Sequence, residues 1–173
     1  IYPGTCRRHP AAADSNAVRY RCVIQQMAFD DGVQGTQRID IATEIGDFLL
    51  RRGDRHFSYQ LAVAVDDADQ QITHVLRGTD LITSTFMQLA VLKSLGLPAP
   101  HYAHFPVVKG ADGHKLSKQR KSAPIKNKEF KNNIFSALYY LNQQPPTRLK
   151  TAQIGNIWSW VAEHWTLSKL REI

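Results

Sequence analysis

A strand–helix–strand pattern in the middle of the chain limits its possible folds more than any other feature. The β-branched run at residues 72–76 predicts a strand, and the leucines that follow recur every three or four residues, as on one face of a helix. Asp80 is the expected N-cap of this helix and Gly96 its expected stop, and residues 104–108 predict the next strand. This order is typical of an α/β layer with parallel strand pairing.

Shorter segments precede this pattern. Residues 18–24 alternate polar and apolar side chains, as a half-buried strand does, and residues 33–41 and 47–51 have the character of further short strands. Residues 57–65 fit either a buried strand or a helix, because periodicity does not separate the two in a short apolar run.

The last part of the chain has a helical pattern. Beyond Pro124, apolar residues form two stripes at helical spacing, one on each side of two consecutive prolines. A chain of 173 residues with 43% apolar content is long enough for one compact core and a small appended domain. We therefore expect an α/β region at residues 1–125 and a small helical tail at residues 126–173.

A basic loop follows the strand predicted at residues 104–108. Lys115 and Lys118 lie three residues apart in a glycine-flanked, serine-containing run. Residues 115–131 contain seven Lys or Arg and one acid, a charge of +6 against a formal +7 for the whole chain. Mobile ammonium groups at such spacing suit a polyphosphate, although a solvated basic surface fits this segment equally well.

Composition narrows the environment and the partners. No apolar run approaches the roughly 20 residues that span a bilayer, so we expect no membrane association. Cys6 and Cys22 are too few for a disulfide framework and fit a reducing cytoplasm. A pI near 9.6 favours an anionic partner, with nucleic acid the leading candidate. We expect a cytoplasmic monomer.

Three motifs in order carry a resemblance to a known family. Residues 57–67, 74–81 and 115–119 resemble the second half of the catalytic domain of glutamyl-tRNA synthetases, class I enzymes with a Rossmann-type core. The run Lys-Leu-Ser-Lys-Gln is similar to the KMSKS signature of that class. The resemblance covers most of residues 1–125. It implies an α/β fold that is the second half of a class I synthetase catalytic domain, with a small helical C-terminal appendage.

The shortened members of this family, the glutamyl-Q tRNA(Asp) synthetases, resemble the chain more closely. Residues 2–7, the Arg-Gly-Thr-Asp-Leu run that begins at Arg77, and Ser84, Thr85 and Gln88 carry this likeness. It implies that ATP, with Mg²⁺, and glutamate give glutamyl-adenylate. Glutamate is then transferred to queuosine in the anticodon of tRNA-Asp. The alternatives are part of a conventional glutamyl-tRNA synthetase and a basic RNA-binding protein without catalysis.

The resemblance also implies roles for individual residues. Lys115 and Lys118 would act as catalytic residues on the ATP phosphates, with Lys118 the stronger candidate, and Ser117 would belong to the same ATP-binding loop. Tyr59 and Arg77 match glutamate-binding positions. A guanidinium group can bind a carboxylate bidentately, and a phenol can donate one directional hydrogen bond.

Two features of the family are incomplete in this sequence. Tyr2 and Cys6 match the last two of four zinc ligands, and the Cys-x-Cys pair that supplies the others would precede Ile1, so we expect zinc in the intact protein. The HIGH motif of class I enzymes is also missing. We therefore expect the C-terminal part of such an enzyme, inactive alone. The pair His101 and His104 is interpreted as structural.

Overall fold

The chain forms two compact units, Ile1–His104 and Phe105–Ile173. The computed structural model describes residues 1–5, 17–23, 26–110, 113–116 and 124–172. The expected boundary between residues 125 and 126 falls inside the second unit. The division into a catalytic half and a helical tail stays a prediction.

The strands of the first unit form two sheets. They are β1 (Val18–Tyr20), β2 (Gln26–Asp31), β3 (Gly35–Asp40), β4 (Phe48–Arg51), β5 (His74–Gly78) and β6 (His101–Phe105). One sheet pairs β1 with β4 in antiparallel orientation, and the other has the order β3-β2-β6-β5. In this larger sheet β2 and β3 form an antiparallel hairpin, whereas β2 runs parallel to β6 with Asp31 opposite Tyr102.

Helices complete both units. The α-helices are α1 (Ile41–Glu44), α2 (Tyr59–Asp69), α3 (Ile82–Leu95), α4 (Phe130–Tyr140) and α5 (Ile154–His164). Short 3₁₀ segments occur at Thr79–Leu81, Asn127–Glu129, Thr147–Lys150 and Leu167–Glu172. Among the described residues, no helix has both the length and the apolar character needed to cross a membrane.

The predicted strand–helix–strand pattern is confirmed as β5, α3 and β6. Gly96 ends α3 in the left-handed conformation at φ 65°, as expected. The N-cap prediction is wrong: Asp80 lies in the 3₁₀ turn that precedes the helix, and Leu81 takes the cap position without a side-chain hydrogen bond. Strand β6 begins at His101 and ends before Pro106, which has no N–H to donate to a sheet.

Most of the ambiguous run at residues 57–65 is helical and forms the first part of α2, which begins at Tyr59. Ser58 is its N-cap, and the hydroxyl oxygen accepts a hydrogen bond from the Leu61 N–H at 3.4 Å. Ala64 in α2 and Ala90 in α3 are both buried in the core, where small side chains allow close approach. The rest of this core comprises Cys22, Ile41, Phe48, Val91 and Leu92.

The second unit has a smaller core between its helices. Leu138, Leu149 and Ile157 are buried together, so the helical pattern predicted beyond Pro124 is confirmed. The buried amide of Gln143 donates to the Leu141 and Thr166 carbonyl oxygens and accepts from the Thr166 N–H at 2.9 Å. A buried amide with these bonds fixes the turn after α4.

Candidate functional site

A group of buried polar side chains surrounds Arg77 at the end of β5. Arg77 Nε donates a hydrogen bond to His104 Nε2 at 3.1 Å. Arg77 Nη2 donates to Thr85 Oγ1 at 2.6 Å and to Gln88 Oε1 at 2.7 Å. These three partners are at most 1% exposed. Residues of α3 and β6 therefore fix the guanidinium group along one edge.

Asp31 holds His104 from the opposite side. His104 Nδ1 lies 2.5 Å from Asp31 Oδ2, and Asp31 Oδ1 accepts from the backbone N–H groups of Val33, Gln34 and His104. Burial alone raises the pKa of the Asp31 carboxyl, but the hydrogen bonds, that from Gln34 first, bring the pKa below its ordinary value. Asp31 is therefore an ionised acceptor at neutral pH.

The hydrogen-bond donors determine where the proton of His104 lies. Arg77 has donors only, so His104 Nε2 must use its lone pair to accept from Arg77 Nε. Nδ1 then carries the proton and donates it to Asp31, which makes the imidazole neutral. The Thr85 hydroxyl has one proton to donate, and its two acceptors are His104 Nε2 at 3.0 Å and the Leu81 carbonyl oxygen at 3.2 Å. Carboxylate, imidazole and guanidinium thus form one chain across β2, β6 and β5.

The remaining edge of the guanidinium group is open to a ligand. No hydrogen bond joins Arg77 Nη1 to any other residue that the structure describes. Gln88 Nε2 is also buried without a hydrogen-bond partner in this part of the chain. The guanidinium carbon lies over the Tyr102 ring, 5.2 Å from its centroid. Guanidinium N–H donors of this kind complement a carboxylate.

Tyr102 connects Tyr59 to the same site. Burial raises the pKa of the Tyr102 phenol to about 12, with Arg77 opposing this rise and Asp67 and Tyr59 adding to it. Tyr59 and Arg77 therefore both act electrostatically on one hydroxyl group. The Tyr59 side chain is itself 51% exposed. Strand β5 places Arg77 against the Tyr102 ring, whereas Tyr59 is the first residue of helix α2, and the pairing of Tyr59 with Arg77 in one site stays a prediction.

The first part of the basic loop lies in the second unit as a β-hairpin. Leu116 N–H donates to the Val108 carbonyl oxygen at 3.0 Å, and Lys109 and Lys115 form an antiparallel bridge. Gly113 has φ 73°, a conformation that glycine adopts without strain. Ser117 and Lys118 lie outside the described residues, so the predicted phosphate-binding loop is described only as far as Leu116.

The described residues contain one of the two zinc ligands expected in this chain, Tyr2. Tyr2 packs its ring against the Arg19 guanidinium carbon, 4.0 Å from the ring centroid, and Cys6 lies outside the described residues. The buried Cys22 thiol donates to the Gly46 carbonyl oxygen at 2.9 Å. Over the described ranges, no group of three or more His, Cys, Asp or Glu residues could hold a metal ion. Zinc therefore has no support in this chain.

The sequence analysis does not identify Asp31 or Tyr102 as residues of the Arg77 site, and it gives His104 a structural role only. Asp31 lies at the end of β2, a strand that was not predicted, and it faces Tyr102 across the sheet. His104 was interpreted as structural and without a nearby carboxylate, because Asp31 is distant in the chain. The available signal was Asp31 before Gly32, an acid at the point where a strand turns.

We expect His104→Ala to destabilise the first unit by about 1–3 kcal/mol or more, because it removes a buried hydrogen-bond partner of both the Asp31 carboxylate and the Arg77 guanidinium group. Chemical denaturation followed by circular dichroism measures this change. His101→Ala is the matched control: it lies on the same strand but is exposed, and its effect should stay within about 0.5 kcal/mol. Equal effects of the two changes would contradict the assigned network.

We also expect Tyr102→Phe to reduce the loss of stability at alkaline pH. The phenol ionises near pH 10.0 in an unfolded chain and near pH 12 in the folded one, so wild-type stability should fall as pH rises through this interval. The variant lacks this ionisation and should show a shallower slope. The measurement is the free energy of unfolding as a function of pH, and identical slopes would count against a buried Tyr102 hydroxyl.

The chain is similar to a defined family of enzymes over most of its length. The family model for "tRNA synthetases class I (E and Q), catalytic domain" matches residues 5–143. A glutamyl-Q tRNA(Asp) synthetase from Aromatoleum aromaticum is 45% identical over 96% of this chain and 53% of its own length. One from Pseudomonas fluorescens is 42% identical over 95% of this chain and 55% of its own length. The chain thus spans about half the length of these relatives.

Solved structures support the fold. A glutamate-tRNA synthetase from Elizabethkingia anophelis matches 88% of this chain and 34% of its own with a TM-score of 0.63 at 20% identity. A glutamate tRNA ligase from Elizabethkingia meningosepticum matches with a TM-score of 0.60 at 18% identity. These identities are informative about the fold only. Together with the match at residues 5–143, they show that the chain belongs to the class I tRNA synthetase family for glutamate and glutamine and has the α/β fold of its catalytic domain.

Proposed function

We propose that this chain supplies the glutamate site and the phosphate-binding loop of a glutamyl-Q tRNA(Asp) synthetase. The observation that carries the proposal is the open edge of Arg77, held in place by His104 and Gln88. In the proposed reaction a glutamate carboxylate oxygen attacks the α-phosphorus of ATP and pyrophosphate leaves. The glutamyl group then passes from the adenylate to queuosine in tRNA-Asp. The names of the relatives at 42–45% identity support this choice.

Arg77 would bind one carboxylate of glutamate through its open edge. Its orientation is determined before any ligand arrives, because the Nε and Nη2 donors are already occupied by buried partners. Preorganisation of this kind lowers the entropy lost on binding. Tyr59, which is exposed near Tyr102, would donate one hydrogen bond to the same substrate.

Lys115 and Lys118 would act on ATP, which class I synthetases use with Mg²⁺. Negative charge moves onto pyrophosphate as the α-phosphorus bond breaks, and an ammonium group placed there stabilises the transition state more than the ground state. Lys118 is the stronger candidate by resemblance to the KMSKS signature. The hairpin that ends at Leu116 leads directly into this part of the loop.

A conventional glutamyl-tRNA synthetase is the second candidate, because the solved proteins that share the fold are a glutamate-tRNA synthetase and a glutamate tRNA ligase. The two candidates differ in the RNA that accepts glutamate. Radiolabelled glutamate should be transferred by the natural-length protein to tRNA-Asp that contains queuosine. Transfer to tRNA-Glu instead would favour the conventional enzyme. This chain alone should show neither reaction, since it spans about half the length of its relatives.

We expect Arg77→Lys to weaken glutamate binding by the natural-length protein. Lysine carries the charge but lacks the planar pair of donors, and the loss of one charge-assisted hydrogen bond corresponds to roughly 1.5–3 kcal/mol, or about 10- to 150-fold in KM. Glutamate-dependent ATP–pyrophosphate exchange measures this constant. Arg38→Lys, at an exposed position on β3, is the matched control and should leave KM unchanged. A normal KM in Arg77→Lys would sink the assigned role.

We expect Lys118→Ala to lower the rate of ATP–pyrophosphate exchange by about 10²–10³-fold, because it removes one electrostatic donor from the transition state. The circular dichroism spectrum should stay unchanged. Lys128→Ala, at an exposed lysine of the second unit, serves as the control for general loss of positive charge. Exchange at the wild-type rate in Lys118→Ala would show that this loop does not bind the leaving phosphates.

A further inference from the structure

The second unit contains a cavity that the proposed adenylation chemistry does not use. Its volume is about 480 Å³, within the roughly 300–1,000 Å³ typical of small-molecule sites. It is lined by Asn132, Phe135, Ser136, Tyr139, Tyr140 and Lys150. Five of these six residues lie on α4, and the neighbouring Leu138 faces the core instead. The cavity is therefore built on a regular helix.

Two aromatic rings at the cavity face solvent. Tyr139 is 68% exposed and Tyr140 is 51% exposed, although both belong to a helix that has a core to pack against. Their ring centroids are 6.2 Å apart at an interplanar angle of 73°, an edge-to-face arrangement. In this arrangement one ring presents its edge to the other, so a flat ligand can stack on an exposed ring face.

The same cavity carries positive charge. Lys150 Nζ lies 4.7 Å from the centroid of the Phe135 ring, which holds the ammonium group at the cavity wall. Residues 126–150 contain five Lys or Arg and one acid, Glu129, and that acid pairs with Lys126 at 3.2 Å. Within the described residues no carboxylate pairs with Arg148 or Lys150. The charge of this face is thus available to an anionic ligand.

We propose that this cavity binds an unpaired nucleotide of an RNA. Its base stacks on Tyr139 or Tyr140, and its phosphate is bound by Lys150. Open aromatic faces beside cations are the combination that single-stranded nucleic acids require. Asn132 and Ser136 add donors and acceptors at the rim for the edges of the base. An acidic peptide would use the lysines but would leave the two exposed rings without a partner.

The identification of the RNA as a tRNA rests on the proposed function. The nucleotide site itself rests on the rings and charges of the second unit. Two probes separate these points. A labelled single-stranded RNA of about 12 nucleotides tests the site alone, and a tRNA-Asp transcript, which has the tRNA fold but no queuosine, tests binding of the tRNA body.

Fluorescence anisotropy with the 173-residue chain measures binding of the labelled single-stranded RNA. The double change Tyr139→Ala and Tyr140→Ala should weaken binding by about 5- to 150-fold, because stacking on aromatic side chains is lost. The double change to Phe should restore binding, since the ring faces remain. Trp158→Ala is the matched control: this tryptophan is 54% exposed on α5 and does not line the cavity, so its loss should have no effect.

Salt dependence tests the role of Lys150. Lys150→Gln should weaken binding and reduce the slope of log affinity against log salt concentration by about one, because one phosphate contact is lost. The double tyrosine change to Ala should leave this slope unchanged. Wild-type affinity in that variant, or displacement of the RNA by poly-glutamate at equal charge, would overturn the proposal and indicate a general acidic partner.

ATP–pyrophosphate exchange keeps failure of this inference distinct from failure of the proposed function. In the natural-length protein the double tyrosine change to Ala should leave glutamate-dependent exchange at its wild-type level, since the first step needs no RNA. Binding of the tRNA-Asp transcript should fall in the same variant. Lost exchange in the variant would contradict a site dedicated to RNA. Absence of exchange in the wild-type protein would count against the proposed function and leave the nucleotide site standing.

Discussion

The hydrogen-bonded chain of Asp31, His104 and Arg77 is the interaction on which the candidate site depends. An ionised carboxylate is tolerated in the interior here because four hydrogen bonds reach it, three from backbone N–H groups and one from the imidazole. The neutral imidazole of His104 donates to this carboxylate through Nδ1 and accepts a hydrogen bond from Arg77 through Nε2. Removing His104 would take one hydrogen-bond partner from Asp31 and one from Arg77, so the sheet and the site are stabilised together.

Arg77 is held by the protein through part of its donor set. Its Nε and Nη2 donors are bound by His104, Thr85 and Gln88, whereas no described residue accepts from Nη1. The same residues also explain a likeness noted in the sequence. Thr85 and Gln88, which carry part of that resemblance, lie in the first two turns of α3, where both accept from Arg77 Nη2. The side chains that fix Arg77 are thus also part of the packing of α3.

The second unit combines positive charge with exposed aromatic rings. The basic segment was evident from the sequence, because charge is read directly from residue identities. The cavity on α4 was not evident from the sequence. Its lining residues are spaced along a helix, and Lys150 comes from a separate 3₁₀ turn. A basic pI alone indicates an anionic partner of any kind. The exposed Tyr139 and Tyr140 rings favour an anionic partner that has flat groups able to stack on them.

The sequence by itself determined the α/β class, the order of β5, α3 and β6, and the identities of Tyr59 and Arg77 as candidates. Periodicity and turn residues are local signals, and motif order survives without a structure. Only the tertiary structure decided what surrounds Arg77. Asp31, Tyr102 and His104 come from strands that meet through sheet pairing, and no local pattern encodes which strands become neighbours. Asp31 and His104 support the site because both are buried, and polar groups in the interior must form hydrogen bonds.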